Sequence, residues 1–245
     1  MSKNTIISIK NLSKKIGKSL LLKDINLSIQ KGEVFGFLGP NGAGKTTTMK
    51  CILGIMRVTE WSVKIFGESI DEISVRKRIG FMPENTYLYK YLSGDEFLDF
   101  NAAFYDLTDR ELRKRKDMVL ERVGLTHARD KRLHTYSKGM LQRIGLAQAI
   151  LHDPELIFLD EPMSGLDPIG RKMVKDLMIE LKKDGKTLFF NTHILSDVEA
   201  ICDTFAIISL GEIIANMRVD ELTEPLEDFF MKSIDASALH ISKLQ

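Results

Sequence analysis

Cysteine is scarce in this sequence, in which Cys51 and Cys202 are the only two. Two cysteines are too few to build a disulfide framework. No positively charged and then apolar leader opens the chain. A chain that uses neither disulfides nor a leader is typical of a reducing compartment, and we therefore expect a cytoplasmic protein.

Long apolar runs and an excess of one charge are also missing. No run approaches the roughly 18 apolar residues that a membrane span requires, so we expect any membrane role to pass through another subunit. The chain has 35 Lys and Arg against 34 Asp and Glu, a net charge of +1. This balance gives no general attraction to nucleic acid or to an anionic membrane. The basic run RELRKRKD at 110–117 also contains acidic residues, so we expect a solvated helix face there and no nucleic acid partner.

Apolar patterns predict an α/β fold. With 245 residues and 44% hydrophobic content, the chain can form one substantial core. Residues 6–12 and 25–29 alternate apolar and polar positions, which predicts half-buried, antiparallel strands. Helical segments lie between further strands, so we expect a mostly parallel sheet. Those strands are almost continuously apolar, as in strands buried on both faces: EVFGFL at 33–38, LIFLD at 156–160, TLFFN at 187–191 and FAIIS at 205–209.

Two helices have their ends marked in the sequence. Asp167 is suited to an N-cap, Pro168 to the first helical position, and Gly185 to the stop. Ser93 and Glu96 have the spacing of a capping box, in which each side chain bonds to the backbone of the other residue. We therefore predict helices that begin after Ser93 and after Asp167.

The span 85–149 interrupts the alternation of strands and helices, because it has helical patterns but no convincing strand. We interpret it as a helical subdomain inserted into a core formed by 1–84 and 150–222. Together these segments make one domain over 1–222. Residues 223–245 form a short C-terminal tail, which is too short for a domain of its own.

The stretch GPNGAGKT at 39–46 fits the phosphate-binding pattern G-x-x-x-x-G-K-[ST] and lies between a predicted buried strand and an apolar helix. The glycines let backbone N–H groups surround phosphates, Lys45 can reach the β- and γ-phosphates, and the Thr46 hydroxyl can bind Mg²⁺. A chance glycine turn is the alternative. The predicted nucleotide contacts are Gly39, Pro40, Asn41, Gly42, Ala43, Gly44, Lys45, Thr46 and Thr47.

Polar residues follow two of the buried strands at their carboxyl ends. Asp160 can hold Mg²⁺ through water, while Glu161 can orient or deprotonate an attacking water molecule. His193 follows TLFFN at the same expected edge of the sheet, where it can touch a γ-phosphate. The alternatives are that the carboxylates only end a strand and that the histidine is structural or faces solvent.

The stretch YSKGMLQR at 136–143 has the form of a second anion-binding helix start. Ser137 can cap a helix, and Gly139 lets the backbone come close to a ligand. An apolar helix face continues after it, so a plain helix cap is the alternative. Taken alone, this stretch does not say which nucleotide it would contact.

The motifs occur in the order GPNGAGKT, YSKGMLQR, LIFLDEPMSGLD and NTH. This order closely resembles the nucleotide-binding subunit of ABC transporters, over about residues 5–220. The chain looks most like bacterial exporter-type ATPases, such as multidrug and sodium efflux ATPases, which pair with a separately encoded permease. The resemblance implies a P-loop NTPase core with a mostly parallel sheet, an antiparallel β subdomain and an inserted α-helical subdomain.

The resemblance also assigns residues to a shared site. Two copies in that family face head to tail, so Ser137 and Gly139 would contact the γ-phosphate held by Lys45 of a second copy. Glu84 stands where the family usually has a Gln near Mg²⁺. Ile16 stands where the family often has an aromatic that stacks on adenine, so aliphatic contact would replace stacking.

Three other features depart from the family pattern or point to a partner. Lys138 replaces a signature glycine. Trp61 stands where a glycine is usual before a strand, and we expect it to pack. The stretch YLYKYL at 87–92 is expected to lie partly in the core. The resemblance implies that it lies beside the groove that receives a cytoplasmic helix of the permease, and we expect a partner contact there because Tyr is favoured at interfaces.

We therefore expect an ATP-binding and hydrolysing subunit with Glu161, His193 and Lys45 as catalytic residues. Thr46, Asp160 and Glu84 are the predicted Mg²⁺ ligands. The subunit would dimerise around two Mg·ATP and drive a membrane permease, in export, from the inner face of the cell membrane.

Two alternatives belong to other classes of protein. The first is a soluble ABC-type ATPase of translation or DNA repair, although those usually have tandem modules or long coiled-coil insertions. The second is a weakly hydrolysing regulatory module, which the departures at Ile16 and Glu84 make conceivable.

Overall fold

The computed structural model describes residues 4–58, 60–85 and 89–242. Its strands are β1 Thr5–Ile16, β2 Ser19–Gln30, β3 Val34–Leu38, β4 Glu60–Ile65, β5 Ile79–Met82, β6 Leu156–Asp160, β7 Thr187–Thr192, β8 Thr204–Ser209 and β9 Glu212–Arg218. Its α-helices are α1 Lys45–Ile52, α2 Ile73–Arg76, α3 Gly94–Ala102, α4 Asp109–Arg122, α5 Lys138–Ile150, α6 Pro168–Lys183, α7 Leu195–Ile201 and α8 Leu226–Ser242. Short 3₁₀ turns lie at Thr126–Ala128, Leu133–Thr135 and Val219–Glu221.

The chain forms two compact units. The first unit comprises Met1–Arg76 with Thr187–Gln245, and the second comprises Lys77–Lys186. In the first unit, β2, β1 and β4 make an antiparallel sheet, as the alternating patterns predict. A second sheet there has the order β7, β3, β8, β9, in which β3 runs parallel to both neighbours and β9 antiparallel to β8. The predicted α/β fold class, mostly parallel with an antiparallel part, is confirmed.

The parallel strands of the first unit form its core. Every residue of β3 and β7 is buried, which explains their continuous apolar sequences. The rings of Phe35 and Phe189, on neighbouring strands, lie 5.2 Å apart between centroids in a tilted arrangement. Gly36 leaves room for α7 and the residue after it, since a Cβ there would lie 2.8 Å from Cys202 Sγ.

The second unit pairs β5 with β6 in parallel and adds the helices α3 to α6. Both predicted helix starts are confirmed. Asp167 Oδ1 accepts a hydrogen bond from Gly170 N at 2.7 Å, and Pro168 opens α6. Ser93 and Glu96 form the reciprocal capping box of α3, with distances of 2.7 and 3.1 Å.

The basic run in α4 is mostly solvated, as expected, but Lys116 is an exception. Its side chain is only 8% exposed, and its Nζ lies 2.7 Å from Asp95 and 2.6 Å from Asp99, both on α3. A buried ammonium needs paired carboxylates because its desolvation is otherwise costly. The charge in this run therefore joins α4 to α3.

The C-terminal segment ends in the helix α8, which packs on α7, β8 and β9. Leu226 is fully buried at the start of α8, and its N–H donates to Glu199 Oε1 at 2.8 Å. Phe229 meets Phe205 of β8 edge to face, with centroids 6.2 Å apart. Within the described residues, no helix combines the length and apolar content needed to cross a bilayer.

His152, just after α5, is held as a neutral ring. Its Nε2 lies 3.0 Å from Ile79 O, and the ring stacks on Tyr105 at 3.8 Å between centroids. Its Nδ1 is buried with no hydrogen-bond partner. Nε2 therefore carries the proton, and charging the ring would place a second proton on a desolvated atom. Burial accordingly lowers the pKa of His152 to about 4.

This buried ring predicts a loss of stability in mild acid. The unfolded chain keeps the ordinary His pKa of about 6.5, so it binds more protons than the folded chain between that pH and about 4. From about pH 7.5 to about pH 5, we expect the wild type to lose about 2 kcal/mol of unfolding free energy that a His152→Gln variant does not lose. Urea titrations followed by far-UV circular dichroism measure this difference.

The same substitution at the exposed His127 is the control and should leave the pH dependence of the wild type unchanged. Equal pH dependence in the wild type and His152→Gln would contradict the assignment.

Candidate functional site

The predicted phosphate loop lies in the first unit, between β3 and α1. Gly42 and Gly44 have φ angles of +80° and +116°, which L side chains rarely adopt. Two of the glycines are also needed for space. A Cβ at Gly39 would lie 2.4 Å from Ile208 O, and one at Gly44 would lie 2.7 Å from Leu22 Cδ2. The loop is thus a tight turn that leads into the N-terminus of α1, and a helix N-terminus favours anions.

Lys45 lies over this turn. Its side chain is buried, and its Nζ donates to Gly39 O at 2.7 Å and to Pro40 O at 3.3 Å. The next residue, Thr46, is half-buried at the start of α1. The loop is also joined to the β8–β9 turn, because Gly211 N donates to Ala43 O at 3.0 Å. Two carbonyls of the loop therefore hold the cation in place.

His193 lies at the same sheet edge as this loop. Leu38 and Thr192 are register partners at the ends of the parallel strands β3 and β7. Gly39 and His193 are the next residues along the two strands, so both leave the sheet at its carboxyl edge. His193 is exposed. The structure thus brings two of the predicted groups to one edge of the first unit.

Ile16 lies at the tip of the β1–β2 hairpin in the same unit. It pairs with Ser19 across a turn, and 52% of its surface is exposed. An aliphatic side chain this exposed is available for an apolar face of a ligand. Its assignment to the adenine stays a prediction.

The predicted carboxylates lie together in the second unit. Asp160 ends β6 and is 1% exposed, and Glu161 follows at 8%. Glu161 has a φ of +51°, an uncommon conformation for a residue other than glycine. Met82 and Leu159 are register partners in the parallel pair of β5 and β6. Glu84, which is exposed, therefore follows β5 at the edge where Glu161 follows β6.

The stretch YSKGMLQR begins α5 in the second unit. Ser137 is its N-cap, and its Oγ accepts from Met140 N at 3.2 Å. Ser137 and Lys138 are exposed. The side chain of Lys138 lies over Gly165, where a Cβ would come within 2.5 Å of its Nζ. Ser137 is thus a helix cap in this chain, and its hydroxyl lies at the surface.

Gln142 is a residue of the same stretch to which the sequence assigned no role. It is buried on α5, and its Nε2 donates to Glu161 O at 3.1 Å and to Pro162 O at 3.2 Å. A polar residue on the apolar face of this helix could have indicated a structural contact, because a buried amide needs hydrogen-bond partners. Its acceptors, 19 and 20 residues later, could not be identified from spacing.

The tyrosine-rich stretch at 87–92 is described only in part. Tyr87 and Leu88 lie outside the described residues, as does the side chain of Trp61. Tyr89 and Tyr91 are exposed, at 59% and 85%, so the expectation that the stretch lies partly in the core is wrong for these two. Tyr89 packs edge to face on Phe100 of α3, with centroids 4.9 Å apart.

The donors predicted for Mg²⁺ are a hydroxyl, Thr46, and two carboxylates, Asp160 and Glu84. In the part of the chain that the structure describes, no three His, Cys, Asp or Glu side chains are grouped to hold a metal by themselves. Hydroxyl and carboxylate oxygens are ligands that Mg²⁺ prefers, and this ion is usually bound by one or two carboxylates together with substrate phosphates.

Known proteins match this chain along most of its length. It is 49% identical over 207 residues to an uncharacterized ABC transporter ATP-binding protein of Nostoc sp., covering 84% of this chain. It is 39% identical over 222 residues to the bacitracin transport ATP-binding protein of Bacillus licheniformis, covering 89% of this chain and 72% of that protein. The chain spans about three fifths of the length of the Nostoc relative and of a similar one from Synechocystis sp., 62% and 57%.

A solved structure shares the fold. It is an ATP-binding subunit of an ABC transporter, with a TM-score of 0.87 and 29% identity over 94% of this chain and 99% of that one. The ABC transporter family profile matches residues 22–164, from β2 through the phosphate loop to the turn after Glu161. The resemblance seen in the motifs is thus confirmed over the stretch that carries most of the predicted site, and the chain belongs to the ABC transporter family as one of its ATP-binding proteins.

Proposed function

We propose that this chain hydrolyses ATP and that the energy drives a membrane permease. The observation that carries the proposal is the loop from Gly39 to Gly44, which turns into the N-terminus of α1 with the Lys45 ammonium held over it. Backbone N–H groups and a buried cation favour a polyphosphate over a neutral ligand. The bacitracin transport relative is a transport protein by its name, which supports coupling to transport.

Each predicted residue has a role in this reaction. Lys45 neutralises charge on the β- and γ-phosphates, while the Thr46 hydroxyl and the Asp160 and Glu84 carboxylates would hold Mg²⁺. When bound, Mg²⁺ supplies positive charge to the phosphate oxygens. Glu161 accepts a proton from water as the water oxygen bonds to the γ-phosphorus.

The bond from phosphorus to the β–γ bridging oxygen breaks in the same reaction, and the products are ADP and phosphate. His193 donates a hydrogen bond to the γ-phosphate and so stabilises the charge that develops on its oxygens. No covalent enzyme intermediate is needed, since positioning and electrostatic stabilisation carry phosphoryl transfer.

The proposal includes a second copy of the chain. Ser137 and Gly139 of one copy would complete the ATP site of the other, so two Mg·ATP would lie between two subunits. The exposure of Ser137 at the N-terminus of α5 supports this, because the N-terminus of a helix favours anions. The partner copy would therefore supply part of each site.

The remaining assignments follow the family. The 1–222 segment is proposed as the ATP-binding domain, with 85–149 as its helical subdomain and 223–245 as a tail. The permease would be a separate integral membrane protein, the direction would be export, and the chain would lie on the cytoplasmic face of the membrane. The exposed rings of Tyr89, Phe100 and Phe104 support a protein contact on the second unit.

The first prediction concerns Lys45. Lys45→Met keeps the length of the side chain but removes its charge, so we expect ATP hydrolysis to fall by at least about 100-fold and ATP binding to weaken. Phosphate release and binding of a fluorescent ATP analogue measure the two effects. The same substitution at Lys50, in the last turn of α1, is the matched control. Hydrolysis at the wild-type rate by the Lys45 variant would refute the phosphate-loop assignment.

The second prediction concerns Ile16. Ile16→Tyr offers a ring to the base, so we expect ATP to bind more tightly by about 1–3 kcal/mol, the value of one stacked base. Calorimetric titration with Mg·ATP measures this gain. Leu20→Tyr, an exposed position on the other strand of the hairpin, is the control. Unchanged affinity for the Ile16 variant, or an equal gain at Leu20, would place the adenine elsewhere.

The third prediction tests the second copy. Glu161→Gln keeps the shape of the side chain but cannot take a proton, so ATP should stay bound and hold two copies together. We expect this variant to be a dimer with Mg·ATP and a monomer without it, since a ligand that binds the dimer preferentially favours association. Light scattering after size exclusion measures the mass.

The partner contact is tested in the same variant. Ser137→Asp should abolish the dimer, because aspartate still caps α5 but repels the phosphate. The control is Thr108→Asp at the N-cap of α4, which should leave the dimer intact. An ATP-bound dimer that persists with Ser137→Asp would reduce YSKGMLQR to a helix cap.

A further inference from the structure

The backbone of Glu161 is held in an unfavourable conformation. Its φ is +51°, and the next residue is Pro162, whose ring further restricts the residue before it. At positive φ the Cβ of a glutamate comes too close to the backbone, whereas glycine has no Cβ and adopts this conformation easily. Such a conformation persists only where the surrounding structure over-determines it. The contacts around Glu161 must therefore hold its backbone in this conformation.

Two described donors converge on this turn from within the second unit. Ser164 N donates to Glu161 O at 3.1 Å and closes the turn. Gln142 Nε2 donates to the same carbonyl at 3.1 Å and to Pro162 O at 3.2 Å. A single side-chain amide thus fixes two consecutive carbonyls, one on each side of the Pro162 ring.

The side chain of Gln142 is confined by its surroundings. It is 8% exposed, and the residues around it on α5 include the buried Ile144, Gly145 and Leu146. An amide is costly in such surroundings unless it is hydrogen-bonded. An apolar side chain would fill this part of the helix at no such cost, so the two carbonyl contacts account for a glutamine here.

We propose that Gln142 is a positioning residue for ATP hydrolysis, which fixes the backbone of Glu161 and thereby the direction of its carboxylate. The proposal rests on the proposed function, in which Glu161 takes the proton from water. The φ angle of a residue sets where its Cβ points, so a turn that relaxes toward negative φ moves the carboxylate away from the water. A displacement of about 1 Å can cost about 100-fold in rate.

The test removes the donor and keeps the size of the side chain. Gln142→Met has no N–H, and in Gln142→Glu carboxylate oxygens face two carbonyl oxygens. Gln148, half-buried further along the same helix, receives the same two substitutions as a matched control. For each variant, kcat and KM for ATP are measured by phosphate release, binding by a fluorescent ATP analogue, and melting by circular dichroism.

We expect kcat of Gln142→Met to fall by about 10- to 100-fold, while KM and the affinity for the ATP analogue stay within about twofold. We expect at least an equal fall for Gln142→Glu. Gln142→Met loses two buried hydrogen bonds, so its melting temperature should fall by a few degrees, but it should stay folded at the assay temperature. The Gln148 variants should keep the wild-type kcat. A loss confined to kcat is expected of a misplaced base, since the ATP contacts of the phosphate loop lie in the first unit.

Three results would overturn the proposal. One is a wild-type kcat in both Gln142 variants. Another is a loss of ATP affinity in proportion to kcat, or unfolding of Gln142→Met at the assay temperature, either of which would indicate a structural role. The third is an equal loss of kcat at Gln148. A wild-type protein that binds ATP but does not release phosphate would instead refute the proposed hydrolysis itself, and the role of Gln142 with it.

Discussion

The candidate site depends on one constraint: after β3, the backbone at Gly39 and Gly44 packs so closely on its neighbours that no side chain fits there. Ile208 O and the Leu22 side chain occupy the space that a Cβ at Gly39 or Gly44 would need. This approach turns the chain sharply enough for α1 to begin at Lys45, soon after β3 ends at Leu38, and the N-terminus of a helix favours anions. The Lys45 ammonium then lies over the turn, where its Nζ donates to Gly39 O. Without those glycines, neither the helix end nor the cation would lie at this edge of the sheet.

In the second unit, a side chain holds a strained turn in place. Asp160 and Glu161 are buried at the end of a strand whose other residues are apolar, and a turn at positive φ carries the second carboxylate. Such a turn is kept only if its carbonyls are satisfied. The amide of Gln142 meets this need from α5, so the helix that begins at Ser137 also supports the turn behind Glu161. Two motifs that look separate in the sequence are thus parts of one hydrogen-bonded structure.

The sequence predicted the elements whose signals are local. The buried strands β3, β6, β7 and β8 are continuous apolar runs, and α6 and α3 both start at residues whose side chains bond to neighbouring backbone. Three strands were not predicted from the apolar patterns: β4, which entered only through the family pattern around Trp61, and β5 and β9. β5 is four residues, Ile79–Met82, with a glycine that lets α5 approach, and β9 is a half-exposed edge strand that does not alternate cleanly. Contacts distant in sequence were also missed, because nothing near Lys116 or Gln142 specifies their partners. The roles of the predicted site residues stay predictions.

The three glycines of the phosphate loop are not equivalent. A Cβ at Gly42 would meet no atom within 4 Å, although its φ is +80°. Position 39 therefore requires a residue without a Cβ, position 44 requires both this and a positive φ, and position 42 requires only a positive φ. An L-alanine there costs roughly 1–2 kcal/mol because of its chirality, but a D-alanine has its own preferred φ on the positive side. A mirror-image residue introduced by chemical synthesis would fit the loop at this one position and would restrict its motion where glycine does not.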